Sequence, residues 1–253
     1  METHNIIGII PARYASTRFP GKPLVDIGGK SMIQRVYEQS RKALEFVYVA
    51  TDDDRIAQAV EKFGGKYIMT SANHQSGTDR CSEAIRKISG IEEKKKFDVV
   101  INIQGDEPFI KPEQLRLLCG CFDDECVQIA TLAKKISNTE QLFDQNSVKL
   151  VKDCNDFAIY FSRWPIPFQR GVDHSEWLNN HQYLKHLGIY AYKTNILKEL
   201  TALKQTSLEK TESLEQNRWL ENSYKIYVQT TDFENIAIDT PEDLEKVKAM
   251  NWE

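Results

Sequence analysis

FVYVATDDDRIAQAVEKFGGKYIMT, Phe46 to Thr70, sets two short apolar runs around one amphipathic segment. FVYVAT reads as a strand and DRIAQAVEKFGG as a helix that ends at Gly64 and Gly65, where a left-handed cap is easily adopted. KYIMT is then the next strand. The same alternation extends both ways. Upstream, KSMIQRVYEQSRKAL (30–44) puts Met32, Ile33, Val36, Tyr37 and Leu44 on one helical face, and NIIGII (5–10) is a short isoleucine-rich run of the kind buried on both faces of a parallel sheet. Downstream, GTDRCSEAIRKI reads as a helix, FDVVINIQ as a strand and KPEQLRLLCGCF as a helix. Strand and helix in strict alternation predict an α/β fold with a mostly parallel central sheet covered by helices on both faces.

The second half is less regular. VQIATLAKK, VKLVK, AIYFSR, KHLGIYAYK and YKIYVQ read as strands, and NILKELTAL, SLEQNRWLENS and PEDLEKVKAM as helices. No Gly/Ser-rich linker or internal repeat divides the chain, so one domain over residues 1–253 with a smaller inserted subdomain, approximately 155–225, is expected.

Of 253 residues, 41% are hydrophobic, which excludes wholesale disorder. The net charge of -4 speaks against a broad nucleic-acid-binding face, so no nucleic acid partner is expected and any anion site must be a local basic cluster. METHNIIGIIPARYAS has no basic segment followed by a long apolar stretch, and no run is long enough to span a membrane. A soluble, cytoplasmic protein without membrane insertion is the expectation. Cys81, Cys119, Cys121, Cys126 and Cys154 are odd in number, which argues for free thiols in a reducing compartment. The spacing of CGCFDDEC matches no zinc knuckle.

PARYASTRFPGKPL (11–24) follows the first strand and carries Arg13, Arg18 and Lys22 around a single glycine. In open α/β sheets the ligand crevice lies at the carboxyl ends of the strands, so a cationic loop there points to an anion. The loop matches neither the Walker nor the dinucleotide glycine fingerprint, so side-chain cations would have to hold phosphates; a solvated basic loop is the plainer alternative. QGDEPF (104–109) follows the fourth strand, and Asp106 and Glu107 are candidate Mg²⁺ carboxylates, or an ordinary turn. In IAIDTPEDL (236–244), Thr240, Pro241 and Asp243 are accounted for by helix capping, which leaves Asp239 as a second candidate ligand or an exposed turn residue. In HQSGTDR (74–80), Ser76 and Gly77 open a helix whose N–H groups would meet a nucleotide or merely be capped.

Taken together, IIPARYASTRFPGKPL, HQSGTDR, NIQGDEPFI, YFSRWPIPF, HLGIYAY and DTPEDLEKV, in this order, closely resemble the 3-deoxy-manno-octulosonate cytidylyltransferases, or CMP-Kdo synthetases, over essentially the whole chain. Phe19 stands where that family more often has leucine. The resemblance implies a Rossmann-like nucleotide-diphospho-sugar transferase fold, usually a homodimer. It implies transfer of CMP from CTP to Kdo with release of pyrophosphate, dependent on Mg²⁺, for the lipopolysaccharide inner core. It places the nucleotide at Pro11, Ala12, Arg13, Arg18, Lys22, Ser76 and Gly77, and the metal at Asp106 and Asp239, with Lys22 joining these two as catalytic. It places the sugar at Gln104, Arg163, His186, Tyr190, Glu215 and Gln216, each of which also reads as a surface or core residue. The alternatives are a sialate cytidylyltransferase, a sugar-1-phosphate nucleotidyltransferase, or a catalytically silent nucleotide-binding protein.

Overall fold

The computed structural model describes residues 4–15, 19–92 and 95–248. Its first half realises the alternation: β1 (Ile6–Ala12), the short β2 (Asp26–Ile27) and β3 (Lys30–Ser31), α1 (Met32–Arg41), β4 (Phe46–Thr51), α2 (Asp54–Lys62), β5 (Tyr67–Met69), α3 (Gly77–Ile91), β6 (Val99–Asn102) and α4 (Pro112–Gly120). There follow β7 (Ile129–Lys135), α5 (Thr139–Phe143), β8 (Lys149–Lys152), β9 (Ala158–Ser162), α6 (Trp177–Asn180), β10 (Leu184–Lys193), α7 (Thr194–Thr201), α8 (Ser207–Glu212), α9 (Glu215–Glu221), β11 (Ile226–Thr230) and α10 (Pro241–Lys248).

The main sheet runs β11-β7-β10-β6-β1-β4-β5. β1 pairs in parallel with β4 and β6, β4 with β5, and β11 with β7. β10 alone runs against its neighbours β6 and β7, and the antiparallel pair β8-β9 branches from it. The stretch 155–225 therefore includes β10, a central strand of the main sheet, as well as β9 of the branch, whereas β8 precedes it.

The buried run of β1 serves both faces. Ile7 and Ile9 pack with Ile85 and Ile88 of α3, Leu197 of α7 and Trp219 of α9, whereas Ile10 and Ala12 pack with Val36 of α1, Ile56 of α2 and Leu115 of α4. Alternate side chains leave opposite faces of a strand, so an unbroken apolar run requires two helical layers. Capping fixes the helix starts: Ser31 accepts from Gln34 N, Asp53 from Arg55 N, and Ser76 and Asp79 exchange both bonds of a capping box. A third core, with Ile27, Met32, Ile238, Leu244 and Val247, seats α10 on the β2-β3 hairpin. That contact brings the C-terminal segment over the loops that leave β1 and β6.

The five cysteines are free. Burial pushes the Cys119 thiol up to about 11 and the Cys121 thiol to about 12, so both stay protonated at neutral pH. Among the described residues no helix is long and apolar enough to cross a membrane.

Candidate active site

The carboxyl ends of β1 and β6 lie side by side, and a cleft of about 220 Å³ opens above them. Pro11, Ala12 and Arg13 at the end of β1, Lys22 in the following loop, Ser76 and Gly77 at the start of α3, Gln104 and Asp106 after β6, and Asp239 before α10 all line it. Arg18, the other cation expected on the nucleotide, lies outside the described residues. Arg80, His74 and Gly105 also line the cleft and were not singled out from the sequence. Arg80 is 4% exposed, donates to Thr70 Oγ1 at 2.6 Å and pairs with Asp52 at 3.4 Å. It lies in the quoted HQSGTDR motif, one helical turn beyond Ser76, which was the available signal.

The loop after β1 closes through Gly21 N, which donates to Tyr14 O at 2.9 Å, while the Arg55 guanidinium lies 3.3 Å from the Tyr14 ring centroid. Gly21 has φ 74, the left-handed region glycine adopts without strain. The turn delivers Lys22 between two carboxylates: its Nζ donates to Asp106 Oδ2 at 2.7 Å and to Asp239 Oδ1 at 3.0 Å, across sequence separations of 84 and 217. Three charged groups from three remote segments thus share one point. The backbone secures the two aspartates, because Ile238 N donates to Asp106 O at 2.9 Å. Beyond Asp239, Thr240 and Asp243 exchange the expected capping bonds, Asp243 N to Thr240 Oγ1 at 3.2 Å and Thr240 N to Asp243 Oδ2 at 3.1 Å. Glu107, the other carboxylate of QGDEPF, turns away from this point and into the protein. Burial, reinforced by the Asp106 charge, pushes its carboxyl up to about 8, and it accepts from Asn235 Nδ2 at 2.6 Å.

Among the described residues no group of three or more His, Cys, Asp and Glu is placed to hold a metal. Mg²⁺ does not need one, since it takes one or two carboxylates and completes its shell with water and substrate phosphate. Asp106 and Asp239 already converge on one cationic group, so a divalent cation fits their donor set.

The sugar candidates divide. Gln104 lines the cleft and donates through Nε2 to Gly188 O at 2.7 Å, fixing an irregularity of β10 between Leu187 and Tyr190. Glu215 lines an adjacent hollow of about 580 Å³ that shares Gln75 and Ser76 with the cleft. Its carboxylate accepts from Thr78 Oγ1 at 2.6 Å and Arg218 at 2.8 Å, and burial raises its pKa. Gln216 is buried. His186 and Tyr190 sit in an aromatic cluster with Phe161 and Trp219, and the Tyr190 hydroxyl has no hydrogen-bond partner among the described residues. The Thr131 hydroxyl donates to Ile189 O at 2.7 Å, so its oxygen accepts from His186 Nε2 at 3.0 Å. That bond sets the tautomer, and burial lowers the His186 pKa to about 3, so the ring is neutral.

Arg163 is held by backbone carbonyls. Its Nε donates to Glu212 O at 2.8 Å, and its two terminal nitrogens to Gln145 O at 3.1 Å and Ser213 O at 3.3 Å. Carbonyls at the end of α8 and after α5 draw the guanidinium inward, and it ties these two segments together.

Residues 7–226 match the cytidylyltransferase family. A 3-deoxy-manno-octulosonate cytidylyltransferase of Bacteroides thetaiotaomicron is 59% identical over 241 residues, covering 94% of each chain. A solved CMP:2-keto-3-deoxy-manno-octonic acid synthetase complexed with CTP superposes with a TM-score of 0.85 at 43% identity, covering 96% of this chain and 97% of that one. A 4-diphosphocytidyl-2C-methyl-D-erythritol synthase of Anaerococcus prevotii shares the fold at 15% identity and a TM-score of 0.63. Identity this high over nearly the full length of both chains, joined to the charged cluster at the strand ends, assigns the chain to the 3-deoxy-manno-octulosonate cytidylyltransferase family.

Proposed function

We propose that the cleft transfers CMP from CTP to the anomeric hydroxyl of Kdo, releasing pyrophosphate and yielding CMP-Kdo for the lipopolysaccharide inner core. The observation that carries the reading is the meeting of Lys22, Asp106 and Asp239 at one point of a cleft at the strand ends. The nucleotide lies along Pro11, Ala12 and Arg13 and against Ser76 and Gly77, where the first N–H groups of the fifteen-residue helix α3 face the cleft. Attack on the α-phosphorus loads charge onto its non-bridging oxygens and the departing pyrophosphate, so fixed cations provide most of the catalysis. Arg13, Arg18 and Lys22 carry that charge. When bound at Asp106 and Asp239, Mg²⁺ supplies positive charge for the phosphate and acidity for the attacking hydroxyl.

Lys22 has two partners in this reading. Its ammonium pairs with both carboxylates; with nucleotide bound it would reach the β- and γ-phosphates and leave the carboxylates to hold the cation. Gln104, Arg163, His186, Tyr190, Glu215 and Gln216 form the sugar side, with the hollow beside Glu215 as its floor. We assign the homodimer contact to β9, which among the described residues pairs within the sheet only with β8 and exposes Ile159, followed by the exposed Trp164 and Phe168. Pyrophosphate release from CTP with Mg²⁺, compared across Kdo, a sialic acid and a sugar 1-phosphate, tests the activity. Release with Kdo alone supports it, and release only with another acceptor overturns it.

A further inference from the structure

The segment between β11 and α10 has no helix or strand of its own, yet it must deliver Asp239 to Asp106. Glu234 anchors its start, paired with Lys134 of β7 at 2.8 Å and Lys185 of β10 at 2.7 Å. The next residue, Asn235, makes the link to the site. Lys111 N donates to Gln114 Oε1 at 3.0 Å, which turns the Gln114 Nε2 end towards Asn235. Gln114 Nε2 then donates to Asn235 Oδ1 at 2.5 Å, and Asn235 Nδ2 donates to Glu107 Oε2 at 2.6 Å. The direction of this chain is set from the Lys111 end, and Asn235 completes it by accepting at one end and donating at the other. An alkyl group of the same size at 235 would leave two buried partners unpaired, since Glu107 is 6% and Gln114 0% exposed. Glu107 adjoins Asp106, and Asn235 lies four residues before Asp239, so the amide spans the two loops that carry the carboxylate pair.

We propose that Asn235 is a positioning residue for the transfer reaction: by holding the 235–239 segment against Glu107 and Gln114 it sets the distance between Asp106 and Asp239, and with it the affinity for the divalent cation. The proposal rests on the metal reading given above. The test is Mn²⁺ binding, read by the loss of free-ion EPR signal in the absence of nucleotide, for the wild type, Asn235→Leu and Asp239→Asn. Asn235→Leu should weaken Mn²⁺ about tenfold, the lower end for losing a group that orients a metal ligand. Raised Mg²⁺ should return its kcat close to wild type, with the KM for CTP at saturating Mg²⁺ unchanged; general damage to the fold would not be rescued in this way. If Asp239→Asn loses Mn²⁺ while Asn235→Leu binds within twofold of wild type, the positioning role is overturned and the metal reading stands. If Asp239→Asn also binds like wild type, the metal reading falls and takes the proposal with it. Should Asn235→Leu fail to fold, Gln114→Met cuts the same chain from the α4 side and must weaken Mn²⁺ in the same direction; no change overturns the proposal.

Discussion

At the scale of single residues, the side chain of Lys22 is 14% exposed and pinned between two carboxylates. Removing its ammonium should therefore act with opposite signs on two ligands. Lys22→Met removes one cation from Asp106 and Asp239, so Mn²⁺ should bind more tightly without nucleotide, while kcat/KM for CTP falls by the equivalent of about 2 to 4 kcal/mol, the usual loss for one preorganised electrostatic contact. An unchanged kcat/KM would contradict the phosphate role, and weaker Mn²⁺ binding would contradict the exchange. His186 gives a second prediction, in pH. Burial holds its folded pKa at about 3, whereas the unfolded chain takes the proton near the ordinary value of about 6.5. Its contribution is thus complete above the unfolded value and is lost as pH falls. The linkage amounts to about 2 kcal/mol between about pH 6.5 and about pH 5. His186→Gln keeps a donor for Thr131 and has no titration, so urea unfolding at those two pH values should show a smaller loss than in wild type; equal losses would contradict the assignment. Candidate residues were legible where a charged loop follows an apolar run, as at Lys22 and Asp106, or where capping leaves a carboxylate over, as at Asp239. Asn235 was not, because a buried amide in an irregular segment carries no periodicity. Nor was the tethering of Arg163, since carbonyls that need donors are invisible in a sequence.

Among the elements, α1, α2, α3 and α4 and the strands between them were legible because each carries a period, a cap or a glycine stop. The two-residue strands β2 and β3 and the short helices α5, α6 and α8 were not, because too few residues fall on a face to reveal one. The approach of the β6 loop to β1 is another contact that patterning does not encode. Gly105 sits where an added Cβ would lie 2.9 Å from Pro11 O, a backbone atom that cannot swing aside. Gly105→Ala should push the loop carrying Asp106 away from the end of β1. Thermal unfolding should report a stability loss of about 1 to 3 kcal/mol, as for overpacking elsewhere, and kcat/KM for CTP should fall with it. A variant with wild-type stability and activity would show that the two loops are not closely apposed.

For the molecule as a whole, strict strand and helix alternation disclosed the parallel half of the sheet, but not that β10 inserts antiparallel between β6 and β7. Pairing order in a sheet is settled by long-range packing, which local periodicity does not contain. That insertion matters for the proposed chemistry, because β10 brings Gly188 against Gln104 and carries His186 and Tyr190 of the proposed sugar side. The central claim is that Asp106 and Asp239, remote in sequence, act as one cation-binding unit at the junction of these two sides. The direct measurement is single-turnover formation of CMP-Kdo across a Mg²⁺ titration for the wild type, Asp106→Asn, Asp239→Asn and the double variant. Each amide keeps the size of its carboxylate, so the fold should persist. Each single variant should nearly abolish turnover at ordinary Mg²⁺, and the double should be scarcely worse than either, because residues that work as a unit are strongly non-additive. Turnover by Asp239→Asn at the wild-type rate and the wild-type Mg²⁺ requirement would contradict the claim.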